Sequence, residues 1–173
     1  MIVVLSDTHG REGHRLAGRT REAVREAALV CHCGDFVTPA VLDAFERTTA
    51  DAGADFAAVY GNNDTPEVRD RTADTRVVDH GGLRLALAHG HEHTDTSLAL
   101  FGRQANADLV CVGHSHDPGF GRLGSVPVLN PGSHAEPRFH RAAHAELVPS
   151  AKVLDGRLVS PEGDVFERFE LEL

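Results

Sequence analysis

An α/β fold is the class this sequence predicts, and three observations carry it. Short, continuous apolar runs such as Ile2–Ser6 alternate with amphipathic stretches whose alanines and leucines recur at helical spacing. The runs lack a period of two, as expected for strands covered on both faces. No internal repeat, low-complexity tract or Pro/Ser-rich linker divides the 173 residues, so 1–173 reads as a single domain large enough to bury its own core.

Ile2 to Ser6 is the first expected strand, and Arg19 to Leu29 follows as a helix, with Ala23, Ala27 and Ala28 on one side. Leu29 to Cys33 is a second buried strand. Thr38-Pro39 then has the form of a helix N-cap followed by proline in the first helical position, leading to Val41, Leu42 and Phe45. Phe56 to Tyr60 is the third strand. Arg76–Val78 and Leu83–Ala88, joined through His80-Gly81-Gly82, predict a hairpin, and Ser97 to Gln104 a helix. Leu109–Val112 and Val126–Leu129 add two strands. From Ala143 to Leu173 the pattern alternates, with turn signals at Asp155-Gly156 and Glu162-Gly163, which predicts antiparallel strands closing a second sheet.

Composition narrows the function classes. The formal net charge is -9, which opposes bulk binding of DNA or RNA, because that binding is mostly phosphate neutralisation by Lys and Arg. No run of about 18 apolar residues exists, so no membrane span is expected. The N-terminal apolar run lacks the basic region and cleavage site of a secretory signal, making a cytoplasmic protein the default. Three cysteines, with Cys31 and Cys33 on one face of a strand, fit reduced buried thiols better than a disulfide framework.

The chemistry is concentrated in five clusters: Asp7-Thr8-His9, Gly34-Asp35, Gly61-Asn62-Asn63-Asp64, His89-Gly90-His91 and Gly113-His114-Ser115-His116. They supply seven oxygen or imidazole donors suited to metal ions. Each follows an apolar run, in the loops at strand C-terminal ends where open α/β sheets place their ligands. Asp7 and His9, like His114 and His116, alternate on what reads as extended backbone, which would aim each pair at a common point. The glycines at 34, 61, 90 and 113 fit sharp bends or close approach to ions. Together the clusters point to a two-metal hydrolase. A buried salt-bridge network without metal would have to tolerate several converging charges, which is costly. A structural zinc site would favour cysteine.

In order, Asp-x-His, Gly-Asp, Gly-Asn-x-Asp, His and Gly-His-x-His resemble the calcineurin-like metallophosphoesterase superfamily, over residues 7 to 116. The length, the Ser6–Gly10 opening and Asn130-Pro131-Gly132-Ser133 resemble its small stand-alone phosphodiesterases from bacteria and archaea. The resemblance implies a four-layer α/β/β/α sandwich, two mixed β-sheets face to face flanked by helices. It further implies that Asp7, His9 and His116 hold one metal, that Asn62, His89 and His114 hold a second, and that Asp35 bridges them. Two divalent ions roughly 3.5–4 Å apart would share a hydroxide that attacks phosphorus in line. Carboxylate, imidazole and one amide suit manganese, the expected ion, or Ni, Fe or Zn better than Mg.

One departure stands out. Many superfamily members carry a histidine after the ligand Asn, thought to protonate the leaving oxygen; here that position is Asn63, which can donate a hydrogen bond but cannot act as a general acid. Asn63 and His91 are therefore the candidate catalytic and substrate-binding residues beside the metals, and His91 reads equally as a hydrogen-bonded neighbour of a ligand. Arg138 is a candidate phosphate contact whose alternative is a surface ion pair. Ser133 could meet a phosphate oxygen, and His32 reads as a core histidine. His14, His80, His93, His134, His140 and His144 read mostly as solvated, with His93 and His134 near enough to the motifs to stay open. The expected substrate is a small phosphodiester or nucleotide-like molecule. A phosphomonoesterase is the alternative within the enzymes, a protein-interaction module on the same fold the alternative outside them, and an apolar patch leaves room for a homodimer.

Overall fold

In the computed structural model, which describes residues 1–173, two mixed sheets lie between helices. The chain runs β1 (Ile2–Leu5), α1 (Gly18–Glu26), β2 (Leu29–His32), α2 (Pro39–Ala52), β3 (Asp55–Ala58), α3 (Pro66–Arg69), β4 (Thr75–His80) and β5 (Leu83–Ala88). It continues through α4 (Asp95–Gln104), β6 (Leu109–Cys111), β7 (Gly119–Leu123), β8 (Val126–Asn130), β9 (His144–Pro149), β10 (Val153–Val159) and β11 (Val165–Glu172). The first sheet has the order β11-β10-β9-β1-β2-β3 and the second β4-β5-β6-β8-β7. β1, β2 and β3 are parallel, as are β5, β6 and β8, so the loops after them emerge at one end of each sheet.

Apolar alternation within the strands explains the layers. Ile2 and Val4 of β1, with Leu29 and Cys31 of β2, point between the sheets, where they meet Leu85, Leu87, Leu109, Cys111 and Leu129. Val3, Leu5 and Val30 point the other way, onto Ala23 and Val24 of α1 and Val41, Leu42 and Phe45 of α2. Ala86, Val110 and Val126 of the second sheet pack outward on Leu98 and Ala99 of α4. Strands buried on both faces need no polar alternation, which is why they read as continuous apolar runs. This is the expected α/β/β/α sandwich. Cys31, Cys33 and Cys111 are free and buried in it, and burial pushes the Cys31 thiol up to about 12.

Several expectations are corrected. The tail does not close a second sheet; β9 pairs antiparallel with β1, setting Ile2 opposite Leu147 and Val4 opposite Ala145, so it extends the first. Asp155-Gly156 lies inside β10 rather than in a turn, and Gly156 is required there because a Cβ would fall 2.1 Å from the Phe169 ring on the neighbouring strand. Glu162-Gly163 does form a turn, with Gly163 at φ +99. The first helix stops at Glu26 instead of reaching Leu29, and β7 and α3 form from segments without a clear periodic signal. Thr38 stands at the N-cap of α2 with Pro39 behind it, but its hydroxyl donates to the Arg11 carbonyl instead of capping. No helix is long and apolar enough to cross a membrane.

His144, expected in solvent, is buried at 0% exposure, and His134, which the sequence left open, is buried at 6%. Nε2 of His134 donates to the His14 carbonyl at 3.0 Å, and burial pushes its pKa down from 6.5 to about 4. The folded chain thus resists a proton that the unfolded chain accepts. The stability this ring contributes is complete above pH 6.5 and is lost as pH falls from 6.5 towards 4. The slope from one such group approaches about 1.4 kcal/mol per pH unit. Urea midpoints of His134→Gln should fall less steeply than wild type across that window, and parallel curves would refute the assignment.

Candidate metal centre

All five clusters meet at the ends of the parallel strands. The loop after β1 brings Asp7 and His9, that after β2 brings Asp35, that after β3 Asn62, and β5 and β6 deliver His89 and His116. Nε2 of His9 lies 3.3 Å from Nε2 of His116, 3.4 Å from Oδ2 of Asp35 and 3.8 Å from Oδ1 of Asp7. Nε2 of His116 is 3.3 Å from Oδ1 of Asp7. On the other side, Nε2 of His89 is 3.4 Å from Oδ2 of Asp35, 4.0 Å from Oδ1 of Asp7 and 3.2 Å from Oδ1 of Asn62. Two groups with metal-ligand spacing result, Asp7-His9-His116 and Asp7-Asp35-His89. Asp7 belongs to both, while Oδ2 of Asp35 stands at the same distance from His9 and His89. His114 is exposed, with its ring centroid 5.3 Å from that of His89, beside the second group.

The backbone differs from expectation in an instructive way. Asp7 (φ 53), His9 (φ 45), Asp35 (φ 62), His114 (φ 69) and His116 (φ 60) are all in the left-handed region, not extended. Such residues each cost of order 1–3 kcal/mol and persist only where their surroundings enforce them. Here several contacts do so. The Asp64 carboxylate, buried, accepts from the backbone N–H groups of Asp35, Val37 and Gly61, joining the loops after β2 and β3. Ser133 Oγ donates to the Asp7 carbonyl at 2.7 Å, and Asn130 Nδ2 donates to the Gly113 carbonyl at 2.9 Å. The Asn-Pro-Gly-Ser turn therefore braces the ligand loops, and its serine is fully buried away from any phosphate. Gly61 and Gly113 serve close approach rather than turn formation. A Cβ at Gly61 would sit 2.2 Å from Oδ1 of Asp35, and one at Gly113 would sit 1.9 Å from the Ser6 hydroxyl and 2.8 Å from Oδ2 of Asp7.

Protonation is prearranged as well. Nδ1 of His89 donates to the Cys33 carbonyl at 2.6 Å and Nδ1 of His116 donates to the Glu136 carbonyl. A carbonyl can only accept, so each ring in its neutral form turns an Nε2 lone pair into the site, the tautomer a metal requires, whereas a protonated His89 turns its Nε2–H to Asp35 instead. Burial pushes the Asp35 carboxyl up, but hydrogen bonds from His89 and Asn63 outweigh it and hold the group well below the usual carboxylate range. Burial likewise depresses His89, yet Asp35 and Asp7 outweigh it and raise the ring. His116 is lowered, chiefly by burial. Oδ1 of Asp7 is buried with no hydrogen-bond partner, facing three imidazoles. A buried carboxylate oxygen rarely goes unpaired. One or two divalent cations fit this donor set.

The remaining candidates separate. Asn63 donates both its backbone N–H (2.8 Å) and its Nδ2 (2.7 Å) to the Asp35 carboxylate, so it is turned to that ligand. His91 lies beside the site, its ring 5.3 Å from that of His89. Arg138 is outside the cluster, on an exposed turn. His32 is buried; its Nδ1 accepts from the Gly34 N–H, leaving Nε2 to donate to Thr8 Oγ1 at 2.9 Å. Sequence reasoning assigned no role to Asp64 or the Glu136 carbonyl. The Gly-Asn-x-Asp pattern contained Asp64, whereas nothing in a sequence marks a particular carbonyl.

Known proteins are similar to this chain in sequence and fold. Residues 1–149 match the model of the calcineurin-like phosphoesterase superfamily domain. A probable metallophosphoesterase of Methanothermobacter thermautotrophicus is 29% identical over 163 residues, covering 92% of this chain and 91% of its own. A phosphodiesterase of Methanocaldococcus jannaschii is 29% identical over 147 residues, 76% of this chain and 82% of its own. Vacuolar protein sorting 29 of Cryptosporidium parvum superposes with a TM-score of 0.80 at 15% identity, covering 99% of this chain and 97% of that one, a likeness of fold alone. With a family match across most of its length, the chain belongs to the calcineurin-like phosphoesterase superfamily, a metal-dependent family of hydrolases.

Proposed function

We propose that this protein is a phosphodiesterase acting through two divalent metal ions, manganese first among them, held by Asp7, His9, Asp35, Asn62, His89, His114 and His116. The observation that carries the reading is the buried, unpartnered Oδ1 of Asp7 surrounded by three histidine nitrogens within 4.0 Å. When bound, such a pair supplies a water acidified towards neutrality and positive charge against the phosphoryl oxygens. Asp35, held ionised by Asn63, contributes the negative charge placed between the two groups. His89 and His116, fixed by their Nδ1 bonds, present lone pairs with little reorganisation. Asn63 acts through Asp35 as a positioning residue, and neither its amide nor the half-buried His91 offers the strong general acid that a poor leaving group needs. Esters with good leaving groups are therefore preferred.

The similarity to a curated phosphodiesterase supports diesters over monoesters. The complete donor set supports catalysis over a purely protein-binding role. The test uses protein stripped of metal and titrated with Mn, Ni, Zn, Fe or Mg, offered an aryl phosphodiester and the corresponding monoester. Metal-dependent cleavage of the diester, in excess of the monoester and absent in Asp35→Ala, is the expected result. Monoester preference would replace the diester reading, and no turnover with two ions bound would refute catalysis on such esters.

A further inference from the structure

The largest fully exposed apolar side chain of the protein lies on the turn that follows Glu136, whose carbonyl accepts from His116. Phe139 is 101% exposed, and the other exposed large apolar residues, Val77, Leu100, Val148 and Leu173, lie on β4, α4, β9 and the C-terminus. Phe139 is instead flanked by Arg138 and His140. An isolated ring between two basic side chains is a poor core for a protein interface, which gathers apolar residues into a contiguous patch.

Its position is built rather than incidental. The His140 N–H donates to the Pro137 carbonyl at 2.9 Å, closing a turn whose two tip residues are Arg138 and Phe139. Arg138 is held at φ 55, a left-handed conformation that an arginine does not adopt freely. Both feet of the turn rest on the metal-site loop. His116 donates to the Glu136 carbonyl, and Nδ1 of His140 lies 3.1 Å from Oδ1 of Asp117, next in sequence to His116. The stem is fixed in turn by Ser133, whose Oγ accepts from the Glu136 N–H and donates to the Asp7 carbonyl. Three peptide links separate Glu136 from Phe139, so the two Cα atoms lie within about 11 Å.

We infer that the Pro137–His140 turn is the specificity element of the site, with Phe139 stacking on an aromatic ring carried by the phosphoester and Arg138 meeting its phosphate, which makes the preferred ligands nucleotide-like. The inference rests on the phosphoesterase reading above. A flat ring attached to an anion matches a phenyl face next to a guanidinium, and base stacking on an exposed aromatic needs no prebuilt cavity. An acidic protein also needs a local cation to receive an anion, and Arg138 places one at the rim.

The test is equilibrium binding, which needs no turnover. The full chain loaded with manganese is titrated calorimetrically with adenosine 5′-monophosphate and with ribose 5-phosphate, which lacks only the base. Wild type should bind the nucleotide more tightly, by between about five-fold and a hundred-fold. Phe139→Ala should bring the two affinities together, Phe139→Trp should keep them apart, and full exposure of the side chain makes both variants safe for folding. Equal affinities in wild type, a preference that survives Phe139→Ala, or binding of neither ligand would overturn the inference. Hydrolysis of the aryl diester is scored separately. Turnover without adenine preference refutes the turn's role alone, whereas adenine preference without turnover refutes the catalytic reading alone.

Discussion

Replacing Asp7 by asparagine is expected to reduce both metal content and diester hydrolysis by more than about 10²-fold. The floor comes from the cost of losing a partner of a ligand, roughly 10–100-fold, which loss of a ligand itself should exceed. Asp7 is completely buried and belongs to both candidate groups, so no other carboxylate can take over its place between His9, His116 and His89. Its second oxygen accepts the His114 N–H at 3.0 Å, a bond that the carbonyl of an asparagine can keep. The metal-free variant should therefore fold and be no less stable than metal-free wild type, since a buried negative charge with an unpartnered oxygen has been removed. Metal analysis after desalting, with urea denaturation of the metal-free proteins, checks both halves. Full metal content and activity in Asp7→Asn would remove the basis of the proposed centre.

The largest effect on stability is expected far from that centre. Glu146 on β9 is buried, and its carboxylate receives Arg19 Nε at 2.8 Å, Arg157 Nη2 at 2.5 Å and His144 Nε2 at 3.1 Å. Nδ1 of His144 is tied in turn to Thr20 of α1 at 3.0 Å. Breaking a buried charge network from one side costs about 3–5 kcal/mol when the abandoned charges stay enclosed. Both arginines reach water, so about 2–3 kcal/mol is expected for Glu146→Gln in urea at pH 7. Burial pushes the Glu146 carboxyl up, but bonds from His144, Arg19 and Arg157 outweigh it and hold the pKa well below its ordinary 4.5. Its contribution is therefore present above 4.5 and is lost as the pH falls through the lower folded value. The gap between wild type and variant should narrow in that acid range, and a gap independent of pH would show that packing, not charge, is at stake.

What the sequence reveals follows from what is local. β1, β2 and β5 were legible because strands covered on both faces leave continuous apolar runs. The loops that converge on the candidate metal centre were legible because Asp, His and Gly are concentrated directly behind those runs. The destination of β9–β11 was not, since either sheet could accept an alternating strand and the choice depends on which edge of β1 stands free. β7, with Gly119 and Gly121 in a five-residue strand, carries too little pattern to read. The left-handed backbone of Asp7 and His116 was hidden for a different reason. It is imposed by distant partners, Ser133 and the Glu136 carbonyl among them, and spacing along the chain suggests extension instead. Asn63 and the Asn130–Ser133 turn lie beside the candidate loops, and their hydrogen-bond partners, Asp35 and the carbonyls of Asp7 and Gly113, leave no trace in spacing along the chain.

The donors do not come from one sheet. Asp7, His9, Asp35 and Asn62 hang from the first, His89, His114 and His116 from the second, and the gap between the two sets is set by the apolar layer of Ile2, Val4, Cys31, Leu87, Cys111 and Leu129. Interiors packed this tightly transmit a change of one methylene instead of absorbing it. That layer is a gauge block. Each candidate group draws donors from both sheets, so the thickness of that layer gauges how far apart facing donors stand, and a change in core side-chain volume would alter that spacing without touching a single donor.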